Sequence, residues 1–228
     1  MEFSNSPAPE AASPMRLRVA QGLVLLFHLT GFVGLAFSQD KAFFLSYTPL
    51  TLLLTAGLLV AFQPGRNLAF WLFGFQVFVL GFVAELVGTT TGAVFGHYTY
   101  GSTLGYGIGL GAGFPTVPLL IGLNWVVLTY LAGMLAAYLP AAWWVRVLVG
   151  VALMVGFDLC LEPVAGHLDF WHWTGNLIPQ KNFRDWFLLS LVLQVLFVRS
   201  SFEKRNPLVP LVYLVQLLFF FLLGLRGN

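Results

Sequence analysis

The chain has 228 residues, of which 58% are hydrophobic and 9% charged, whereas soluble domains carry about 45–50% apolar and about 25% charged residues. So little polarity excludes a globular protein folded in water. Eleven Lys and Arg against nine Asp and Glu leave a net charge of +2, too small for a basic face, and no nucleic-acid partner is expected. The one cysteine, Cys160, excludes an intramolecular disulfide and a cysteine-based metal centre. At about 20 residues per span the chain has room for roughly seven or eight crossings, so the expected fold is all-α, a polytopic transmembrane helical bundle set in the lipid bilayer.

Residues 1–15, rich in Ser, Pro and Ala, lack apolar periodicity and are expected to form a flexible N-terminal tail. Residues 16–228 then form a single transmembrane helical domain. The apolar runs predict spans over Val19–Phe37, Tyr47–Phe62, Leu68–Gly88, Pro115–Tyr138, Trp143–Glu162, Phe183–Arg199 and Pro207–Leu225, about seven in all. Gln63-Pro64-Gly65 and Leu139-Pro140 punctuate them. The second and sixth are short for a hydrocarbon core of about 30 Å, so six spans with one re-entrant piece is the alternative. Arg16 and Arg18 ahead of the first run resemble a signal peptide, but a run of this length reads better as a true span.

Seven Lys and Arg (Arg16, Arg18, Arg66, Arg146, Arg199, Lys204, Arg205) fall on the side of the N-terminus and four (Lys41, Lys181, Arg184, Arg226) on the other. The count predicts a cytoplasmic N-terminus. Both long connections, 89–114 and 163–182, then emerge on the far side. They hold His97, Tyr98, Tyr100, Phe170, Trp171, His172 and Trp173, and loops of this length in a compact bundle are usually functional.

Few ionisable residues fall inside the spans: His28, Glu85, Asp158 and Glu162. Each is costly in lipid and therefore a functional candidate. Asp158 and Glu162, four apart, share a helix face, where two poorly solvated carboxyls cannot both ionise cheaply, so one is expected to keep its proton. Glu85 lies at a similar depth from the same surface, so the three carboxyls can converge beneath the aromatic loops. The alternative is structural: Glu162 at the headgroup level, Glu85 bonded to a neighbouring helix, and His28 in an interhelical hydrogen bond. Gln76, Gln194 and Gln216 read as interhelical glue, while Asn124 and Trp125 are placed to line a pocket.

Several chemistries are excluded. Glycines 101, 105, 107, 109, 111 and 113 follow no predicted strand, so they read as a loop permitting close backbone approach rather than a dinucleotide fingerprint. Four histidines are too few for a histidine-rich di-iron oxygenase, and no HExxH pattern exists. The last span has no lysine for a retinal Schiff base. Asp158 and Glu162 alone do not make the paired acidic motifs that hold magnesium. No metal site and no cofactor is expected; metal-free acid chemistry, or binding of an apolar ligand, survives.

Glu85-Leu-Val-Gly88, Thr91-Gly92, Phe95-Gly96-His97-Tyr98-Thr99-Tyr100, Phe114-Pro115, Asn124-Trp125, Asp158 with Glu162-Pro163, Phe170-Trp171-His172-Trp173, Pro179-Gln180-Lys181-Asn182-Phe183 and Trp186 occur in this order. The set resembles the integral-membrane carotenoid biosynthesis family, which includes the CruF-type carotenoid 1,2-hydratases, over roughly residues 20–220. One departure is Gly175-Asn-Leu-Ile, which lacks an aromatic after the glycine. The resemblance implies an enzyme of the cell inner membrane that hydrates the terminal double bond of an acyclic carotenoid, with carotenoid and water as substrates and other carotenoid-pathway enzymes as possible associates. Protonation of a trisubstituted double bond yields a tertiary cation that water captures. Asp158, Glu162 and Glu85 are the candidate catalytic residues; Tyr98, Tyr100, Asn124, Trp125, Phe170, Trp171, Trp173, Asn182 and His28 are the candidate substrate-binding residues. Asp158/Glu162 would donate the proton, and Glu85 or His28 would handle the water. The alternatives are a carotenoid end-group cyclase, which begins with the same protonation, and a non-enzymatic carotenoid-binding protein.

Overall fold

A computed structural model describes residues 13–226. The expected tail lies outside the described residues except at its end, where Ser13 caps the first helix and Pro14 and Met15 already belong to it. Proline at a first helical position costs no hydrogen bond and presets φ. Among the described residues the chain forms eight α-helices: α1 (Pro14–Phe37), α2 (Lys41–Ser46), α3 (Thr48–Ala61), α4 (Leu68–Thr91), α5 (Leu119–Ala137), α6 (Trp143–Ala165), α7 (Gln180–Arg199) and α8 (Val209–Arg226). Four short strands, β1 (Tyr98–Tyr100), β2 (Gly107–Ile108), β3 (Val117–Pro118) and β4 (Trp171–Trp173), form two small antiparallel ladders in the long connections. The fold is all-α.

Among the described residues six helical segments are long and apolar enough to cross a membrane: α1, α2 with α3, α4, α5, α6 and α8. The second predicted span is longer than its apolar run because helix starts at Lys41, capped by Asp40 Oδ1 accepting from the Phe43 N–H at 3.0 Å. The break at Tyr47 precedes Pro49, which cannot donate a helical hydrogen bond. The sixth predicted span is α7, also 20 residues long but carrying Lys181, Arg184, Asp185 and Arg199 near its ends, and it is not among the six. It packs chiefly along α6 and also on α5 and α4, burying Asn182, Asp185, Trp186, Ser190, Leu193, Gln194 and Phe197.

Of the glutamines read as glue, Gln194 alone bridges helices, donating to the Thr129 carbonyl at 3.0 Å and to Met154 Sδ at 3.2 Å. Gln76 is exposed on α4, and Gln216 lines the central cavity. At the bundle end away from the strands, Gln63 donates to the Glu203 carbonyl at 2.7 Å and accepts from the Tyr130 hydroxyl, while Asn206 donates to Leu59 O and Tyr130 Oη, both at 2.8 Å. These contacts satisfy backbone groups in the turns and tie α3, α5 and the α7–α8 connection together.

Candidate functional site

Glu85 lies on the inward face of α4 between Gly81 and Gly88, one turn to either side. Each glycine admits a ring that a side chain would displace. A Cβ at Gly81 would fall 2.5 Å from the Trp125 ring, and one at Gly88 would fall 2.8 Å from Tyr98 Oη. The rings therefore reach the carboxyl. Tyr98 donates to Glu85 Oε2, Tyr100 donates to the same oxygen at 2.7 Å, and Trp125 Nε1 donates to Oε1 at 2.8 Å. Trp125 is held by stacking on Trp186, with centroids 4.2 Å apart, and on Phe95 at 6.0 Å.

The tyrosines sit on β1, which pairs antiparallel with β4 in the register Tyr98 with Trp173, Thr99 with His172, and Tyr100 with Trp171. Successive strand residues point to opposite faces, so YTY and WHW place four aromatic rings on one side and Thr99 and His172 on the other. On that aromatic side Trp173 Nε1 donates to Glu162 Oε2 at 2.7 Å and Trp171 Nε1 to the same oxygen at 3.3 Å. Asn182 Nδ2 donates to Glu162 Oε1 at 2.9 Å and to Asp158 Oδ2 at 3.2 Å. Asp158 Oδ1 is buried with no partner. The convergence expected of the three carboxyls is thus present: Glu85 and Glu162 lie beneath one ladder, and Asn182 ties Asp158 to Glu162. Among the described residues none of the three has a basic partner.

A cavity of about 1270 Å³, counting the space at its mouth, opens against this ladder. Its wall includes Glu85, Glu162, Tyr98, Tyr100, Asn124, Trp125, Phe170, Trp171, Trp173, Asn182 and His28. Asp158 is the exception. It is 0% exposed and does not reach the wall, because it lies one helical turn from Glu162, toward the bundle interior, behind Asn182. Glu162 is 5% exposed and roofed by Trp171 and Trp173. His28 makes no interhelical bond; its Nδ1 hydrogen-bonds the Val24 carbonyl one turn back at 2.8 Å. That bond requires Nδ1–H, which leaves Nε2 as an acceptor.

Sequence reasoning omitted Phe95, Trp186 and Gln216 from the site. Trp186 had a signal in its helical spacing from Asn182, four residues earlier on α7. Phe95 had only its place in the Phe95–Tyr100 motif, since its position is set by a left-handed φ of 62° and by its N–H donating to Asp185 Oδ2 at 2.9 Å.

Polar contacts outside the cavity pin the loops. Asp169 accepts from the Ser102 N–H at 2.8 Å and hydroxyl at 2.7 Å, and contacts His172 Nε2 at 2.8 Å. The hydrogen bond with His172, then those from Ser102, hold its carboxyl down at about 2. A Cβ on Gly101 would collide with Asp169, so this glycine of the predicted close-approach loop is needed for the clamp. The Tyr98 and Tyr100 hydroxyls lie well above the usual tyrosine range, through burial first and the nearby Glu85 carboxyl second. They remain donors at any physiological pH.

No curated protein and no solved structure matches the chain. The family model of the carotenoid biosynthesis protein matches residues 47–226. The match starts later than the expected resemblance and leaves out α1 with His28, while covering both aromatic strands, all three carboxyls and α3 to α8. Extending over about four fifths of the chain, it shows that the protein belongs to the carotenoid biosynthesis protein family.

Proposed function

We propose that the protein is a carotenoid 1,2-hydratase, adding water across the terminal double bond of an acyclic carotenoid. The observation that carries the reading is the pair Glu85 and Glu162, brought from two helices to one cavity wall, roofed by four aromatic rings and without a basic partner among the described residues. Such a site can give up a proton and tolerate the cation that results.

Glu162 is the donor in this scheme, since it faces the cavity and Asp158 does not. Asp158, tied to Glu162 through Asn182, is a positioning residue: a second carboxyl this close makes double ionisation costly and keeps a proton on the pair. The proton adds to the less substituted carbon of the end double bond, whose π electrons form the new C–H bond, and the other carbon becomes a tertiary cation. The faces of Trp171, Trp173, Tyr98 and Tyr100 stabilise it, at about 2 kcal/mol or more each when desolvated. A water oxygen then bonds to the cation and passes its extra proton to Glu85, and transfer back to Glu162 closes the cycle. The net change is one water added, with no oxidant or reductant.

The wall also offers places for water. The amides of Asn124 and Gln216 line the cavity without bonding another described residue, and His28 Nε2 is an acceptor on the same wall. These groups favour hydration over cyclisation, in which the cation must be kept from water. Expression in a lycopene-producing host with mass spectrometry of the pigments tests the reading. The product should be heavier by one water, and conversion in isolated membranes should survive EDTA. An isomer of unchanged mass would establish the cyclase instead, and unchanged pigment would leave a binding protein.

A further inference from the structure

A second hollow of about 930 Å³ lies between α3 and α4 over α5. Its wall is apolar, with Ala56, Leu59 and Val60 on one side, Trp71, Gly74 and Phe78 on the other, and Val127 at the back. Val127 also lines the central cavity, so the two hollows adjoin at this residue. They follow each other along α3: Thr48, Thr51 and Leu52 face the cavity, and Ala56, Leu59 and Val60 face the groove. The Thr48 end lies beside the strand loops, since a Cβ on Gly105 would come within 3.9 Å of Pro49. From Glu85 back to Phe70, which lines the groove, α4 advances about 22 Å at 1.5 Å per residue. Cavity and groove thus adjoin within the bundle, the first acidic and aromatic, the second apolar.

We propose that the α3–α4 groove is the binding site for the polyene chain of the substrate, a rigid linear hydrocarbon whose end group occupies the cavity. The inference rests on reading the cavity as the end-group site. A compact terpenoid would leave the groove empty, whereas a long polyene held at one end beside Glu85 and Glu162 must put its remaining length somewhere apolar. The groove is the apolar hollow that adjoins the cavity at Val127, and its exposed wall residues Trp71 and Phe75 leave it open for lateral entry from the bilayer. One chain then binds one end of a symmetric carotenoid at a time.

Gly74 provides the test. A Cβ there would have only Val126 Cγ1 near it, at 4.0 Å, so alanine fits without displacing a neighbour and a larger side chain starts from the groove wall. Wild type, Gly74→Ala and Gly74→Phe, purified into lipid nanodiscs, would be titrated with lycopene and, separately, with a short acyclic terpenoid bearing the same end group. Binding is read from quenching of tryptophan fluorescence and, for lycopene, from its induced circular dichroism. Gly74→Ala should bind lycopene like wild type and Gly74→Phe about tenfold or more weakly, with the short ligand unaffected in all three. Equal lycopene binding by Gly74→Phe, equal weakening of both ligands, or no lycopene binding by wild type would each overturn the proposal. Lycopene binding that depends on Gly74 without water addition would uphold the groove and remove the hydratase reading alone.

Discussion

Tyr98 and Trp173 face each other across the β1–β4 ladder with ring centroids 4.9 Å apart, yet they donate to different carboxyls, Tyr98 to Glu85 and Trp173 to Glu162. The ladder acts as a yoke. Two acids on helices separated in sequence are bridged by a pair of three-residue strands, each acid taking two of its donors from the ladder and a third from a neighbouring helix.

Removing one donor should therefore disorder one acid and spare the other. Tyr98→Phe keeps the ring and deletes the hydroxyl bonded to Glu85; Trp173→Phe does the same for the indole N–H bonded to Glu162. A hydrogen bond contributes about 1.5–3 kcal/mol when its partner is charged, as Glu85 is, and about 0.5–1.5 kcal/mol when it is neutral, as the Glu162 donor is, so conversion should fall by about 10- to 100-fold in Tyr98→Phe and about 2- to 10-fold in Trp173→Phe. Pigment conversion at matched protein levels, where wild-type rates in both would sink the yoke, is the measurement.

The carboxyls should differ in rank. Glu162→Gln removes the proton donor and should lower conversion by about 100-fold or more. Glu85→Gln should be comparably severe. Asp158→Asn should cost less, because Asp158 acts through Glu162 and does not touch the cavity, and it should shift the alkaline limb of the pH profile, along which the donor loses its proton. A heavier loss in Asp158→Asn than in Glu162→Gln would return the donor role to Asp158.

Gly88→Ala separates local helix stability from site geometry. Alanine should favour an exposed helix by about 0.5–1 kcal/mol over glycine. Here its Cβ would lie 2.8 Å from both Tyr98 Oη and the Val94 carbonyl, so the ring or the loop must move. The variant is expected to keep its helical circular dichroism and lose most of its conversion.

Acid should act first on the loops. The Asp169 carboxyl lies near 2 when folded against an ordinary 3.8, so it binds fewer protons in the folded state. The stability it contributes is complete above about 4 and is lost as pH falls toward about 2. The protection factors of the amides at residues 101–103 against hydrogen exchange should fall over that window, and Asp169→Asn should show the lower protection already at neutral pH.

Reporter fusions test sidedness. Fusions after Arg66 and after Arg205 should report from the cytoplasm and fusions within Gly101–Gly113 and near Gly175 from the other side, as the Lys and Arg count requires. The β1–β4 pairing already places both long connections at the same end of the bundle.

Hydropathy alone determined the helical bundle and, within a few residues, most of its helices, because a long unbroken apolar run can satisfy its own backbone groups in lipid only as a helix. It also marked Glu85, Asp158 and Glu162, since an ionisable residue in an apolar run is conspicuous whatever its neighbours. Helix ends were less legible. Asp40 lengthened the second span, and α5 starts only at Leu119 because Val117–Pro118 pairs with Gly107–Ile108.

Tertiary structure alone decided what those residues do together. Strands as short as YTY and WHW carry no readable period, and their partnership joins segments about seventy residues apart. The spacing of Asp158 and Glu162 put both on one helix face but could not say which of them meets the cavity, a choice made by where Asn182 on α7 inserts. Gln194 and Gln216 look alike in sequence; one bonds two helices and the other faces the cavity. The physical reason is common to all three cases: local pattern follows from the chain's own period, whereas contact across the bundle depends on how several helices pack at once.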